Sequence, residues 1–279
     1  MADLNKTNNR RIIAENPVIR KLSKVTSYGS SNACSYKGIA LKLLFFLIFT
    51  AVGIGVCAFM KVTSGFGGEL VYEGTIYENG GTVRIFSNEV TVLVVVGIIS
   101  FIAPILAVFI RKTIPVTGTL FCASIGFLLC WLAMTFADIY LAPVLLALVI
   151  TLMLVFTMGF LYGMGIVRVT QKFRSFIMIA MITVCLSSLL VFIASLIPFT
   201  SGIVAQLAAN PVISIGGSLI MVIIGTLFLL VDFDTIHQCV ENGLDKQYEW
   251  YASFGLAFSV IWLYLKVLDL IIKIMGKNK

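Results

Sequence analysis

Four ionisable side chains in the last third of the chain lie in or beside apolar segments. Asp232 and Asp234 follow a long apolar run, and Lys266 and Asp269 lie within the last one. Ionisable groups at membrane depth are costly and mark ion or proton pathways, so we expect an ion-pathway or pH-sensing site here. The i, i+2 spacing directs Asp232 and Asp234 to different helix faces. Lys266 and Asp269 share a face at i, i+3 and could simply pair with each other.

The sequence lacks the motifs of common enzyme active sites. It contains neither a His-Glu-x-x-His zinc motif nor a Gly-x-Ser-x-Gly turn. Its one histidine, His237, falls in a region that we expect to be a wet loop, so a nucleophile inside the apolar segments would have no base. A retinal Schiff base on a seventh-helix lysine, with Asp138 as counter-ion, is disfavoured by the few aromatic residues in the third and sixth segments. We predict no enzyme activity, no catalytic residue and no cofactor.

The elements that position these residues are apolar segments long enough to cross a bilayer. Residues 175–231 carry no charge over 57 positions, whereas one span needs roughly 20 residues. Pro198 and Pro211 bracket a more polar stretch that divides this run into two helices. Strands of a barrel would alternate over about ten residues, a pattern not seen here. The seven predicted spans are Leu43–Met60, Val92–Ile110, Ile114–Ala137, Pro143–Val167, Ser175–Ile197, Val212–Val231 and Tyr251–Ile272. We therefore predict an all-α membrane protein, a bundle of seven transmembrane helices in the lipid bilayer.

Basic residues set the expected orientation. Residues 1–42 contain eight Lys and Arg, which predicts a cytoplasmic N-terminal arm that is attracted to anionic headgroups and does not bind nucleic acid. The transmembrane domain then covers residues 43–274, with an extracytoplasmic loop at 61–90, and residues 275–279 form a C-terminal tail. Seven crossings place the basic C-terminal end outside. A last segment that enters and leaves on the same face therefore stays open as an alternative.

Several remaining predictions concern packing. The 61–90 loop alternates β-forming residues around a Glu-Asn-Gly-Gly turn, which favours a β-hairpin. Gly159 and Gly163, with the pair Gly216 and Gly217, are expected to let helices approach closely. Asp138 is expected to cap the end of span three. The six cysteines are expected to be free thiols that act as small apolar residues.

Three stretches near the C-terminal end resemble the Bax inhibitor-1 (TMBIM) membrane family, most closely its bacterial branch. They are Asp232-Phe-Asp-Thr-Ile, Glu249-Trp-Tyr-Ala-Ser-Phe-Gly-Leu and Trp262-Leu-Tyr-Leu. Asn16-Pro17-Val18, followed by basic residues, is similar to the start of that branch. The resemblance implies a seven-helix bundle in a bacterial plasma membrane that conducts calcium in a pH-dependent leak. It also implies one carboxylate on span six and one on span seven that share a proton.

The resemblance implies that Asp232 is the carboxylate of span six, because it stands at the matching position. It would bind calcium only weakly and transiently, because calcium takes about six to eight oxygen ligands. Lys266 stands where the family has its second acid, and an ammonium opposite Asp232 would form a fixed ion pair and repel calcium. Asp269, one turn further on the same face, is the expected partial substitute. The alternative is a non-conducting member that modulates a membrane protease or other membrane-protein partners.

Overall fold

Seven long helices make up most of the fold. The computed structural model describes residues 33–63, 67–75, 82–135, 137–197, 199–200, 202, 206 and 209–276. Within them the helices are α1 (Tyr36–Val62), α2 (Ser87–Phe109), α3 (Ile114–Thr135), α4 (Ala137–Gly163), α5 (Gln171–Leu196), α6 (Pro211–Glu241) and α7 (Gln247–Gly276). Each of the seven is long and apolar enough to cross a membrane. The predicted all-α bundle of seven transmembrane helices is confirmed.

Helix α7 runs the full length of the bundle. Near its start Glu249 accepts a hydrogen bond from Ser35, just before α1, and near its end Asp269 accepts one from Ser218, in the second turn of α6. From Glu249 to Asp269 the helix rises about 30 Å, which is the thickness of the hydrocarbon core. The last segment therefore crosses the bundle and does not return to the face it came from.

The loop between α1 and α2 forms the predicted β-hairpin. Strand β1 (Leu70–Thr75) pairs antiparallel with β2 (Thr82–Phe86), with Tyr72 opposite Ile85 and an irregular register between Leu70 and Tyr72. The Glu-Asn-Gly-Gly turn lies outside the described residues.

Two apolar clusters pack against α7. In one, the ring of Phe254 meets those of Phe46 on α1 and Phe121 on α3 edge to face, at centroid distances of 5.8 and 6.0 Å. In the other, Leu263 packs with Leu229 of α6 and with α4. Helix α7 is thus the central element around which the other helices are arranged.

Helices α1 and α3 touch backbone to backbone at two glycines. A Cβ added to Gly53 would lie 2.0 Å from the carbonyl oxygen of Ala123, and one added to Gly126 would lie 2.2 Å from that of Thr50. No side chain fits either space, so this crossing requires glycine on both helices.

The glycines singled out in the sequence do not have this role. A Cβ on Gly159 would lie 3.3 Å from the ring of Phe233, a tight contact with a side chain. A Cβ on Gly163, Gly216 or Gly217 would meet no described atom within 4 Å. The prediction that these three mediate close helix packing is wrong, because their positions do not fall at a helix crossing.

Several helix ends differ from the predicted ones. Helix α1 begins at Tyr36, seven residues before the predicted span, and the Ser35 side chain caps it by accepting from the Gly38 amide at 3.0 Å. Helix α4 begins at Ala137, which places Asp138 in the first turn of α4 and not at the end of span three. Helix α6 continues to Glu241, almost three turns past its predicted end.

The cysteines whose side chains the structure describes agree with the prediction of free thiols. Cys34, Cys57, Cys122, Cys130 and Cys239 are all free and buried. Burial raises the pKa of the Cys34 thiol to about 12, so it stays protonated and unreactive at neutral pH.

Candidate functional site

A cavity of about 530 Å³ lies between α5, α6 and α7, with α2 along one side. Its lining residues recur every three or four positions on each helix, so each helix contributes one face. They are Gln171, Arg174, Ser175, Met178 and Met181 on α5; Gly225, Phe228, Val231, Asp232 and Thr235 on α6; Tyr251, Ala252, Phe254, Gly255, Phe258, Ser259 and Trp262 on α7; and Pro104 and Ala107 on α2.

The two ends of the cavity differ in chemistry. The end near the start of α5 and the end of α6 is polar, with Gln171, Arg174 and Thr235. About 10 Å further along α6, the walls are apolar and aromatic, with Phe228 and Trp262. Asp232 lies between these two ends and is the acidic residue of the cavity lining.

The Asp232 carboxylate is only partly satisfied. Its Oδ2 atom is buried and has no hydrogen-bond partner among the described residues. The Ser259 hydroxyl lies beside the carboxylate, and the charge of Arg174 acts on it. A Cβ on Gly255 would lie 3.8 Å from Oδ1, so the glycine brings α7 close to the acid. A buried carboxylate without a full set of partners is stabilised by binding a cation or a proton.

Asp234 lies on another face of α6 and is well satisfied. It accepts hydrogen bonds from the Tyr162 hydroxyl of α4 at 3.3 Å and from the Gln238 amide at 2.7 Å. A guanidinium nitrogen of Arg174 lies 3.7 Å from its Oδ2. The structure thus separates the two acids as their spacing predicts: Asp232 faces the cavity, and Asp234 faces α4.

Arg174 connects the start of α5 to the end of α6. It donates to the Thr235 hydroxyl at 2.9 Å and to the Gln238 side-chain oxygen at 3.3 Å, in addition to its ion pair with Asp234. One guanidinium therefore stands between two carboxylates, and the group carries one excess negative charge when both acids are ionised. Sequence analysis did not select Arg174, although it is the last charged residue before the 57-residue uncharged run.

Lys266 does not lie opposite Asp232. Gly255 and Ser259 are the α7 residues level with the acid, and Lys266 is seven positions beyond Ser259, about 10 Å further along the helix. Its ammonium lies 5.5 Å from the centre of the Trp262 ring, and no carboxylate of the described residues is within 4 Å of it. The expected Asp232–Lys266 ion pair is not formed, because the register of α6 against α7 places glycine and serine there.

Asp269 is also remote from the cavity. It accepts from the Ser218 hydroxyl at 2.6 Å and pairs with Lys273 at 2.7 Å, so it neither pairs with Lys266 nor substitutes for an acid opposite Asp232. Of the four residues predicted to form the site, Asp232 lies in the cavity wall, Asp234 faces α4 and reaches the site only through Arg174, and Lys266 and Asp269 lie nearer the other end of the bundle.

His237 lies in α6 and not in the expected loop. Its ring hydrogen-bonds the Tyr36 hydroxyl at 2.7 Å and approaches Glu241 at 3.1 Å. It is partly exposed, and it links the end of α6 to the start of α1.

No part of this site resembles a metal centre. Among the described residues, no group of three His, Cys, Asp or Glu side chains lies close enough together to hold a metal ion.

A family model described as Bax inhibitor 1 like matches residues 16–276, almost the whole chain. The chain belongs to the Bax inhibitor-1 family. No curated protein matches it.

In this Bax inhibitor-1 family member, the Glu-Trp-Tyr stretch that carries part of the resemblance has a structural role. Glu249 is 1% exposed. It pairs with Lys42 of α1 and accepts from the amide and hydroxyl of Ser35 at 3.0 and 3.1 Å. A Cβ on Gly38 would lie 2.2 Å from its Oε1 atom. Glu249 therefore holds the segment before α1 against the start of α7.

A second buried acid lies at the opposite end of the bundle. Glu89, in the first turn of α2, is 1% exposed and pairs with Lys61 at the end of α1. It also accepts a hydrogen bond from the Trp131 indole of α3. Both Glu89 and Glu249 have an ion pair and hydrogen bonds. Asp232 differs from them because one of its oxygens has no hydrogen-bond partner, so this carboxylate can still bind a ligand.

Proposed function

We propose that this Bax inhibitor-1 family protein is a weak calcium leak whose polar site is the cavity at Asp232. The observation that supports this proposal is the incompletely partnered Asp232 carboxylate in the wall of a cavity of about 530 Å³. Asp232 and a few hydroxyls supply far fewer than the six to eight or so oxygens of a tight calcium site. Weak, water-assisted binding of that kind suits passage of an ion and not its storage.

The same carboxylate supplies the proposed pH dependence. An ionised Asp232 attracts a cation, and a protonated one does not, so flux should rise as the pH rises through the titration of the site. The proton-sharing partner implied by the family resemblance would be an acid on span seven. In this chain the nearby charges are instead those of Arg174 and, behind it, Asp234, so we assign pH sensing to Asp232 beside this ion pair.

The membrane and the orientation are part of the same proposal. The described Lys37, Lys42, Lys112, Arg168, Lys172 and Arg174 all lie at the end at which α1, α3, α5 and α7 begin. Residues 1–32 contain six further Lys and Arg. The positive-inside rule places this end in the cytoplasm. The similarity to the bacterial branch makes the bacterial plasma membrane the proposed location, with calcium and protons as the ions involved.

The test is calcium flux into dye-loaded proteoliposomes at several pH values between about 6 and 8, on both sides of neutral pH. We expect flux that increases with pH in the wild type and is lost in Asp232→Asn. Asp269→Asn removes the same charge outside the cavity and should leave the flux unchanged.

Absence of flux at every pH, both in the wild type and in Lys266→Leu, would overturn the leak. Equal loss of flux in Asp232→Asn and Asp269→Asn would contradict the assignment of the site to the cavity.

The position of Lys266 favours a second candidate function. Its ammonium lies beside Trp262, at the apolar end of the cavity, where it would repel a divalent ion. A non-conducting protein that modulates a membrane protease or another membrane-protein partner is consistent with this feature. A wild type without flux, together with a Lys266→Leu variant that also shows none, would favour this candidate. A gain of flux in Lys266→Leu would identify a leak restrained by the lysine.

A further inference from the structure

We propose that the Asp232 cavity binds an amphiphilic organic monocation, a ligand with one ammonium group on an aromatic or aliphatic body. This inference uses the same cavity as the proposed function and does not require conduction. The inference is based on the position of the Asp232 carboxylate. One of its oxygens has no hydrogen-bond partner, and it lies in the middle of a cavity whose far end is apolar and aromatic.

The charge of the site matches a single positive charge. Arg174 is committed to Asp234, Thr235 and Gln238 through three contacts of 2.9 to 3.7 Å. Asp232 keeps a buried oxygen without a partner, so the group formed by Arg174, Asp234 and Asp232 has one negative charge left over. An ammonium provides the hydrogen-bond donors that this oxygen lacks. A calcium ion would find too few oxygen ligands here for more than weak, transient binding.

The walls match the apolar part of such a ligand. Phe228, Phe258 and Trp262 line the cavity beyond Asp232, and aromatic faces attract organic cations. The volume of about 530 Å³ falls within the roughly 300–1,000 Å³ of small-molecule sites. A hydrated inorganic ion makes no use of this aromatic lining, whereas an organic cation uses both the acid and the rings.

One nearby charge opposes binding. The Lys266 ammonium lies 5.5 Å from the Trp262 ring centre and already occupies part of the cation-binding surface of the indole. It lies outside the lining, about 10 Å along α7 from Ser259. Removing this charge should therefore strengthen the binding of an organic cation and leave the carboxylate in place.

The experiment titrates the full chain in nanodiscs with benzylammonium and follows tryptophan emission, with empty nanodiscs as the blank. Ethylbenzene, in which a methyl group replaces the ammonium group, is the neutral control of the same shape. We expect the cation to bind at least about tenfold more tightly than the neutral compound. Equal affinity of the two compounds would overturn the proposal and show a cavity that takes any apolar molecule.

Three variants assign the binding to named residues. Asp232→Asn should weaken cation binding about tenfold or more, Asp269→Asn should leave it unchanged, and Lys266→Leu should strengthen it. An Asp232→Asn variant that binds the cation like the wild type would overturn the proposal. If Asp232→Asn does not fold, the comparison of cation and neutral compound on the wild type still decides. Calcium flux is measured separately, so a protein that binds the cation without conducting would contradict the leak alone.

Discussion

At the scale of single residues, two acids near one end of the bundle have opposite environments. Glu249 is paired with Lys42 and bonded to Ser35, whereas Asp232 keeps an oxygen without a partner. Removing a fully partnered buried charge destabilises the fold, because it strands the other charge. A partly satisfied one costs free energy unless a ligand or proton completes it. We therefore assign Glu249 to structure and Asp232 to function.

Replacing Glu249 with Ala should lower the free energy of unfolding by about 3–5 kcal/mol, because it leaves Lys42 poorly solvated and without its carboxylate. Asp269→Ala also breaks an ion pair, but the Asp269 side chain is 44% exposed. The loss there should be about 0–1 kcal/mol. Denaturant unfolding in detergent checks both values, and similar losses for the two variants would contradict the structural role of Glu249.

Asp232→Leu tests the environment of the cavity acid. The sequence predicts that this change destabilises the protein by leaving Lys266 unpaired. In the structure the two residues do not meet, and leucine removes a buried oxygen that has no hydrogen bond. We therefore expect an unfolding midpoint equal to or above that of the wild type. A clear fall in the midpoint would show that Asp232 has a stabilising partner.

At the scale of elements, backbone contact sets the spacing of α1 and α3. Gly53 and Gly126 face carbonyl oxygens of the partner helix with no room for a methyl group. In lipid, helices associate through packing of this kind, because burial of apolar surface between helices gains little over burial in lipid tails. The crossing therefore depends on two small residues and not on the many large apolar ones along both helices.

Gly53→Ala should lower the free energy of unfolding by about 1–3 kcal/mol, because the added methyl forces α1 and α3 apart. Gly55→Ala is the matched control on the same helix, since its Cβ would meet no described atom within 4 Å. It should be neutral or stabilise the protein by about 0.4–1 kcal/mol. Thermal unfolding of both variants in one detergent checks the difference; equal midpoints would contradict this crossing.

At the scale of the whole molecule, α7 lies at the centre and crosses the full bundle. Its start is attached to α1 through Glu249, and its end is attached to α6 through Asp269 and Lys273. The first and seventh helices therefore begin at the same end, and the two ends of the transmembrane domain lie on opposite faces of the membrane.

Cysteine labelling tests this topology. Lys37→Cys and Met275→Cys place exposed thiols near the start of α1 and the end of α7. A membrane-impermeant maleimide added to sealed, oriented vesicles should label one variant only, and permeabilised vesicles should label both. The five described native cysteines are buried, and the wild type gives the background. Labelling of both variants from one side would contradict seven crossings.

The sequence by itself determined the number of spans and the hairpin. Windows without charge must cross hydrocarbon, and alternating β-forming residues around a turn pair with each other. It also indicated that Asp232 and Asp234 face different sides of one helix. It did not determine which residue faces Asp232, because spans that are apolar on every side carry no amphipathic pattern to reveal the inward face. Only tertiary structure decided that register, which places Gly255 and Ser259 beside the acid and leaves Lys266 at Trp262. It likewise brought Arg174 to Asp234 and Lys42 to Glu249, ion pairs between residues far apart in the chain that no local spacing encodes.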